Sequence, residues 1–333
     1  MRGCNTTASG TQRQTGRDYS QPQNFPMQSH LIASIGHAIG LAIVKFWVFH
    51  PRKNGSYSAS FTFVALGKDM VHCASLWQGM LVFWFFCRAC SAQQSPALME
   101  NESAVRAKRI YREAEARFKK EPKNVESAWQ FGRACFDAAE FSTNSTERAQ
   151  IAEQGIAACK QALVLNRDSA AAHYYLGMNI GELAQTRGLG ALKLVDQMEH
   201  EFELARTLDE RLDYAGPDRN LGILYRDAPA WISVGSKSKA RKHLIHAVEL
   251  TPNYPENRLN LAEGYAKWSD RAGVRREYKA MEELWPKART NFVGAAWSSS
   301  WIDWEQRLKE LKKKVEEPSK SLESPRQKSD VDR

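Results

Sequence analysis

Apolar and small residues pair at a nearly regular interval along the chain: Phe131-Gly132, Leu176-Gly177, Leu221-Gly222 and Leu261-Ala262. Glycine follows glycine at 45 residues twice, and Ala262 comes 40 residues after Gly222. Three positions beyond each small residue stands Cys135, Ile180, Tyr225 or Tyr265, one helical turn along the same face. A second pattern recurs further on as Ala162-Leu163-Val164-Leu165, Ala205-Arg206-Thr207-Leu208 and Ala247-Val248-Glu249-Leu250. A polar tripeptide follows each, starting at Asn166, Asp209 or Thr251. Two helical segments repeated at this period predict an all-α solenoid of about four stacked helical hairpins. The small residue lets two helix backbones approach, and the leucine three positions after each alanine is expected to fill the space between them.

Beyond the repeats, Trp297, Trp301, Trp304, Leu308, Leu311 and Val315 step by 4, 3, 4, 3, 4, with Lys309, Lys312, Lys313 and Lys314 off that seam. The spacing is a heptad seam and predicts a C-terminal helix within 291–316. A solenoid must cover its terminal apolar face, so a cap is one reading. Three tryptophans are more than a cap requires, and a contact between copies of the chain is the other.

Composition then divides the chain. The net charge is +9, but residues 1–92 hold 8 Lys+Arg against 2 Asp+Glu, and the remainder only 39 against 36. The repeat body is nearly neutral, which argues against a phosphate-backbone binder and so against nucleic acid as partner. Residues 1–99 contain no glutamate and residues 100–333 contain 25, so a break falls where the repeats begin. Residues 1–69 read as a disordered or non-domain region, with a weak apolar segment at 31–49 and translation starting at an internal methionine as an alternative. Residues 70–92 resemble a signal peptide or membrane anchor, with an apolar core at 80–86 and small residues before position 93. The array is expected over 93–290, the last helix over 291–316, and a disordered tail over 317–333. Export is the first expectation for location; a membrane-anchored or cytoplasmic chain is the alternative.

Candidate chemistry is sparse. Of six cysteines, only Cys135 and Cys159 lie in the repeats; two buried thiols are the simpler reading, a disulfide the other. His243 and His246 share a helix face, but no further ligands converge, so surface or groove-edge histidines are expected and no metal. Asn144 with Glu147 three positions on reads as a helix start. No metalloprotease, nucleophile-elbow or phosphate-loop motif appears, and no cofactor is expected.

The apolar-Gly pairs, the tyrosine one turn on, and Leu221, Gly222, Tyr225, Ala240, Leu244, Ala247, Leu250 and Pro252 together resemble the tetratricopeptide repeat over roughly 104–290. The stretches at Gly216–Tyr225, Ala228–Trp231 and Lys239–Arg241 are similar to the T component associated with TRAP transporters, a periplasmic family. The chain departs from the repeat in spacing. The pattern wants 19 residues from the glycine to the second-helix alanine, and the first three repeats here have 30, 28 and 25. The resemblance implies that the first helix of each repeat lines a concave binding face. By register that face exposes Trp129, Arg133, Asp137, Tyr174, Met178, Glu182, Arg219, Ile223, Arg226, Asp227, Leu259, Glu263 and Lys267, with Trp129 and Tyr174 as packing residues the equal alternative. The resemblance also implies that loops carrying Asp213–Asn220, with Asp218, and Asp227–Trp231 line a cavity; Trp231 plugging its helix pair is the equal alternative. Function is then expected to be non-catalytic: a scaffold or accessory protein for a protein or peptide partner, with a solute-binding transport protein implied by the resemblance. A small-molecule carrier with a pocket inside the array is the alternative, and an enzyme the remotest reading. Homo-oligomers are implied as well, and membrane contact only through the N-terminal segment.

Overall fold

The computed structural model describes the backbone of residues 96–317, and side chains over 102–188 and 190–317. The expectations for 1–69, for 70–92 and for the tail beyond Glu317 lie outside the described residues. Within them are ten α-helices. These are α1 (Pro96–Lys120), α2 (Val125–Glu140), α3 (Ser145–Leu165), α4 (Ala170–Gln185), α5 (Ala191–Leu208), α6 (Leu212–Asp227), α7 (Lys237–Leu250), α8 (Pro255–Lys267), α9 (Arg271–Asn291) and α10 (Ser298–Glu316). Short 3-10 turns at Gly188–Gly190 and Ala295–Trp297 precede α5 and α10.

Polar residues set the helix starts. Asn124 accepts from the amides of Glu126 and Ser127, Asn144 from Thr146, Ser169 from Ala172, Ser236 from Lys239 and Asp270 from Gly273. Each satisfies amides that have no partner within the first turn. The ends are alike too: the amides of Asn166, Asp209 and Thr251 close onto the carbonyls of Ala162, Ala205 and Ala247 at 2.8, 2.8 and 3.1 Å. Those alanines are fully buried. Two of the three leucines three positions on are not the expected spacers: Leu165 and Leu208 are 41% and 40% exposed, while Leu250 is half-buried. The chain leaves the helix immediately after them, which turns them outward.

Consecutive helices pair as hairpins, α2 with α3, α4 with α5, α6 with α7 and α8 with α9, and α2, α4, α6 and α8 also touch in sequence. The small residues do what the pattern predicts. A side-chain carbon on Gly177 would lie 2.7 Å from the Phe202 ring, and one on Gly222 would lie 2.6 Å from Leu244. The solenoid of helical hairpins is therefore the observed architecture. One continuous core runs from Phe136 to Leu311.

Two details differ from expectation. The loop expected over Asp213–Asn220 contracts to three left-handed residues, Asp213, Tyr214 and Ala215 (φ 51°, 56° and 62°), and the right-handed helix resumes at once with Pro217 in its first turn. Proline is tolerated there because its missing amide would have had no partner. The heptad seam is also turned inward. Trp297, Trp304 and Leu311 are buried, while Trp301 and Leu308 are half-buried. Trp304 packs edge-on against Tyr254 at 5.7 Å, Trp297 meets Phe292 at 4.7 Å, and the Trp301 indole donates to the Phe292 carbonyl at 2.7 Å. Of the two readings of this helix, covering the array is the one the packing displays. α10 touches α8 and α9 and also α1, the first described helix, so the array curls until its ends meet. Cys135 and Cys159 are buried free thiols, and burial pushes both upward in pKa.

Candidate functional site

The row formed by α2, α4, α6 and α8 carries the residues expected on an open concave face. Only part of it is open. Trp129 is half-buried, stacked on Tyr175 at 5.8 Å, its indole donating to Glu126. Arg133 is half-buried over the same tyrosine ring and lies 3.8 Å from Asp137. Trp231 is 73% exposed on the loop after α6, and Lys267 is exposed. The expectation of exposure fails for Tyr174, Met178, Arg219 and Ile223, which are fully buried, and for Asp137, Glu182, Arg226 and Leu259, which are buried. The reason is steric: each inner helix has a hairpin partner and neighbouring inner helices, and α10 packs against α8.

What the row brings together instead is two polar networks. In the first, the Arg219 guanidinium donates to the Asp213 and Tyr214 carbonyls at 3.1 and 3.2 Å, to Asn257 Oδ1 at 3.2 Å and to Asp213 Oδ2 at 2.9 Å. It lies over the Tyr254 ring at 5.3 Å. Tyr174 donates to the same Asp213 carboxylate at 2.7 Å and accepts from Asn220, whose amide also reaches the Met178 sulfur at 3.2 Å. Asn257 and Thr251 both donate to the Tyr214 carbonyl. Arg219 therefore holds the left-handed turn in place: buried carbonyls that no helix satisfies find their donors here.

The second network joins α8 to α10. Arg307 lays its guanidinium on Glu263, with Nε to Oε1 at 2.7 Å and Nη2 to Oε2 at 3.0 Å, the two-bond geometry that guanidinium and carboxylate favour. It also donates to Glu256 Oε1 at 2.6 Å, Asp303 at 3.0 Å and Asn260 Oδ1 at 3.0 Å. The other Glu256 oxygen accepts from the Trp304 indole at 2.7 Å. Arg226 pairs with Asp227 at 2.8 Å and reaches Glu263 at 3.3 Å, and Lys267 meets Asp227 at 3.0 Å. Burial alone would raise the Glu263 carboxyl, but Arg307 and then Arg226 hold it below its usual range. Asp227 is held low in the same way, by Arg226 and Lys267 against its burial.

Other acids lie deeper and are less well served. Burial pushes Asp137 up to about 7 against the pull of Arg133. Burial likewise pushes Glu182 up to about 7 despite Arg148, 3.4 Å away. Glu140 is raised well above its usual range by burial and by neighbouring Glu182 and Asp137.

Asp218 does not line the inner face at all. It lies under α7, where His243 and His246 reach it at 2.8 and 3.0 Å, and these bonds outweigh its burial and lower its pKa. The two histidines are thus hydrogen-bond partners of one carboxylate and not free groove-edge groups. Among the described residues no cluster of His, Cys, Asp or Glu is arranged to hold a metal ion.

Arg307, Glu256, Asp303 and Asn260 were not legible as site residues. Asp303 and Arg307 stand four apart on a lysine-rich helix, which reads as a solvated face. The spacing Glu256, Asn260, Glu263 does put three polar groups on one side of α8. Nothing in the pattern says what meets them.

No curated protein matches the chain. The tetratricopeptide resemblance, and the closer likeness to the transporter T component with its periplasmic setting, are corrected by the family comparison. The repeat spacings of 30, 28 and 25 residues, long against 19, are where the chain departs from that pattern. Over residues 92–211, from before α1 through the end of α5, the chain is similar instead to the family described as Regulator of microtubule dynamics protein 1-3.

Proposed function

We propose that the chain is a non-catalytic interaction protein that binds a protein or peptide partner and takes part in regulating the microtubule cytoskeleton. The observation that carries the binding half is the α8–α10 contact, in which the inner face holds a helix through a paired tryptophan and arginine. Aromatic and arginine side chains seated in desolvated surroundings are the usual anchors of protein recognition. The cytoskeletal half rests on the likeness over residues 92–211 to a family named for microtubule dynamics. Co-sedimentation of the purified chain with polymerised microtubules, at low and at moderate salt, tests it. Saturable pelleting, or a changed polymer growth rate, is the expected result. A chain that stays in the supernatant and leaves growth unaltered removes the cytoskeletal half.

A further inference from the structure

α10 hangs from the array by a short joint. Val293 is 65% exposed, and Gly294 takes a left-handed conformation (φ 91°) with open space around it. The helix is seated by apolar contacts of Trp301 and Trp304 with Trp285, Phe292 and Tyr254 and by one polar face, Asp303-Trp304-x-x-Arg307, that meets a stripe of α8, Glu256, Asn260 and Glu263. A single carboxylate, Glu256, reads both the indole and the guanidinium, so tryptophan and arginine must stand three apart for both bonds to form. A buried ion pair of this kind is weak evidence for stability, because desolvation offsets much of the attraction. The seat is also imperfect: Ser299 and Ser300 are buried near the start of α10 with hydroxyls that have no hydrogen-bond partner. Each unmade bond weighs against the closed arrangement.

Resting on the interaction role proposed above, we propose that α10 is a built-in ligand of the inner face. The partner presents an amphipathic helix with the same acid-Trp-x-x-Arg face and takes the place of α10. The α8 stripe selects that partner: a helix lacking the tryptophan leaves Glu256 Oε2 buried and unpaired, and one lacking the arginine leaves the buried Glu256 carboxylate without its ion pair, with only the Asn260 amide still donating to Oε1.

The test uses the full chain with a protease site inserted between Gly294 and Ala295. After cleavage, a fluorescent peptide spanning residues 295–317 is added and its anisotropy followed. The nicked chain keeps its helical circular dichroism, the labelled peptide exchanges in, and peptides carrying W304A or R307A compete about tenfold or more weakly than the parent, about 1.4 kcal/mol or more. Loss of helical signal on cleavage overturns the inference, since α10 is then a fixed part of the core. So does a labelled peptide that never exchanges within a day, or variant peptides that compete as well as the parent. Should the insertion itself prevent folding, hydrogen exchange on the unaltered chain decides. Amides of α10 must exchange faster than those of α4 to α7, and equal protection overturns the inference. Microtubule binding of the intact chain is measured in parallel. Peptide exchange without microtubule binding removes the cytoskeletal role alone, and microtubule binding without exchange removes the built-in ligand alone.

Discussion

Glu182 shows how an acid can work against the fold that contains it. The side chain is almost wholly enclosed, and burial lifts its pKa to about 7 from an ordinary 4.5. Between those two values the unfolded chain has lost its proton while the folded chain still holds one. Folding then binds a proton, and stability falls as pH rises through that window. Asp137, also lifted to about 7, acts in the same direction. Glu182→Gln keeps the neutral shape at every pH. It should match the parent near about pH 4 and exceed it by about 1–3 kcal/mol near about pH 8, read from urea midpoints. A variant less stable than the parent at the higher pH would show that the Arg148 pair outweighs burial. Arg219 is the opposite case, a buried charge with every arm engaged. Lysine cannot reproduce its planar fork. Arg219→Lys should cost about 3–5 kcal/mol, the range for breaking a buried charged network. A loss under about 1 kcal/mol would mean that the left-handed turn holds itself.

At the scale of elements, the glycines that admit a neighbouring helix differ from those that do not. Gly222→Ala would press a methyl onto Leu244, including its backbone nitrogen at 3.1 Å, and should destabilise by about 1–3 kcal/mol. Gly190→Ala, whose nearest neighbour would be 3.6 Å away, should be close to neutral. Equal effects in thermal melts would remove close packing as the reason for the repeat. Ser269, exposed and left-handed (φ 59°) between α8 and α9, should gain about 1 kcal/mol on change to glycine, since it loses its side-chain clash. Much of this scale was legible beforehand. The apolar-small pairs marked the hairpins, and the polar residue after each buried alanine marked the helix ends. The turn at Asp213–Ala215 was not, because none of its residues is glycine and its stability comes from Arg219, Thr251 and Asn257. Nor was the burial of Tyr174, Met178 and Ile223. A helical period assigns side chains to a face, but what covers that face comes from other helices: Phe202 of α5 and Asp213 and Asn220 of α6 enclose Tyr174, and Asn220 reaches Met178.

For the whole molecule, the deciding contact is α10 against both ends of the array. If that helix opens separately, unfolding has two stages. Trp297, Trp301 and Trp304 then enter water first, and their fluorescence should shift at lower urea than the helical circular dichroism falls. Coincident curves would instead make the chain a single cooperative unit. The same contact has a mechanical meaning. Because α10 packs on α1, a pull between the two ends of the array loads that joint before any hairpin. The latch would slip first under tension, and the hairpins behind it, linked in series, would then yield one at a time.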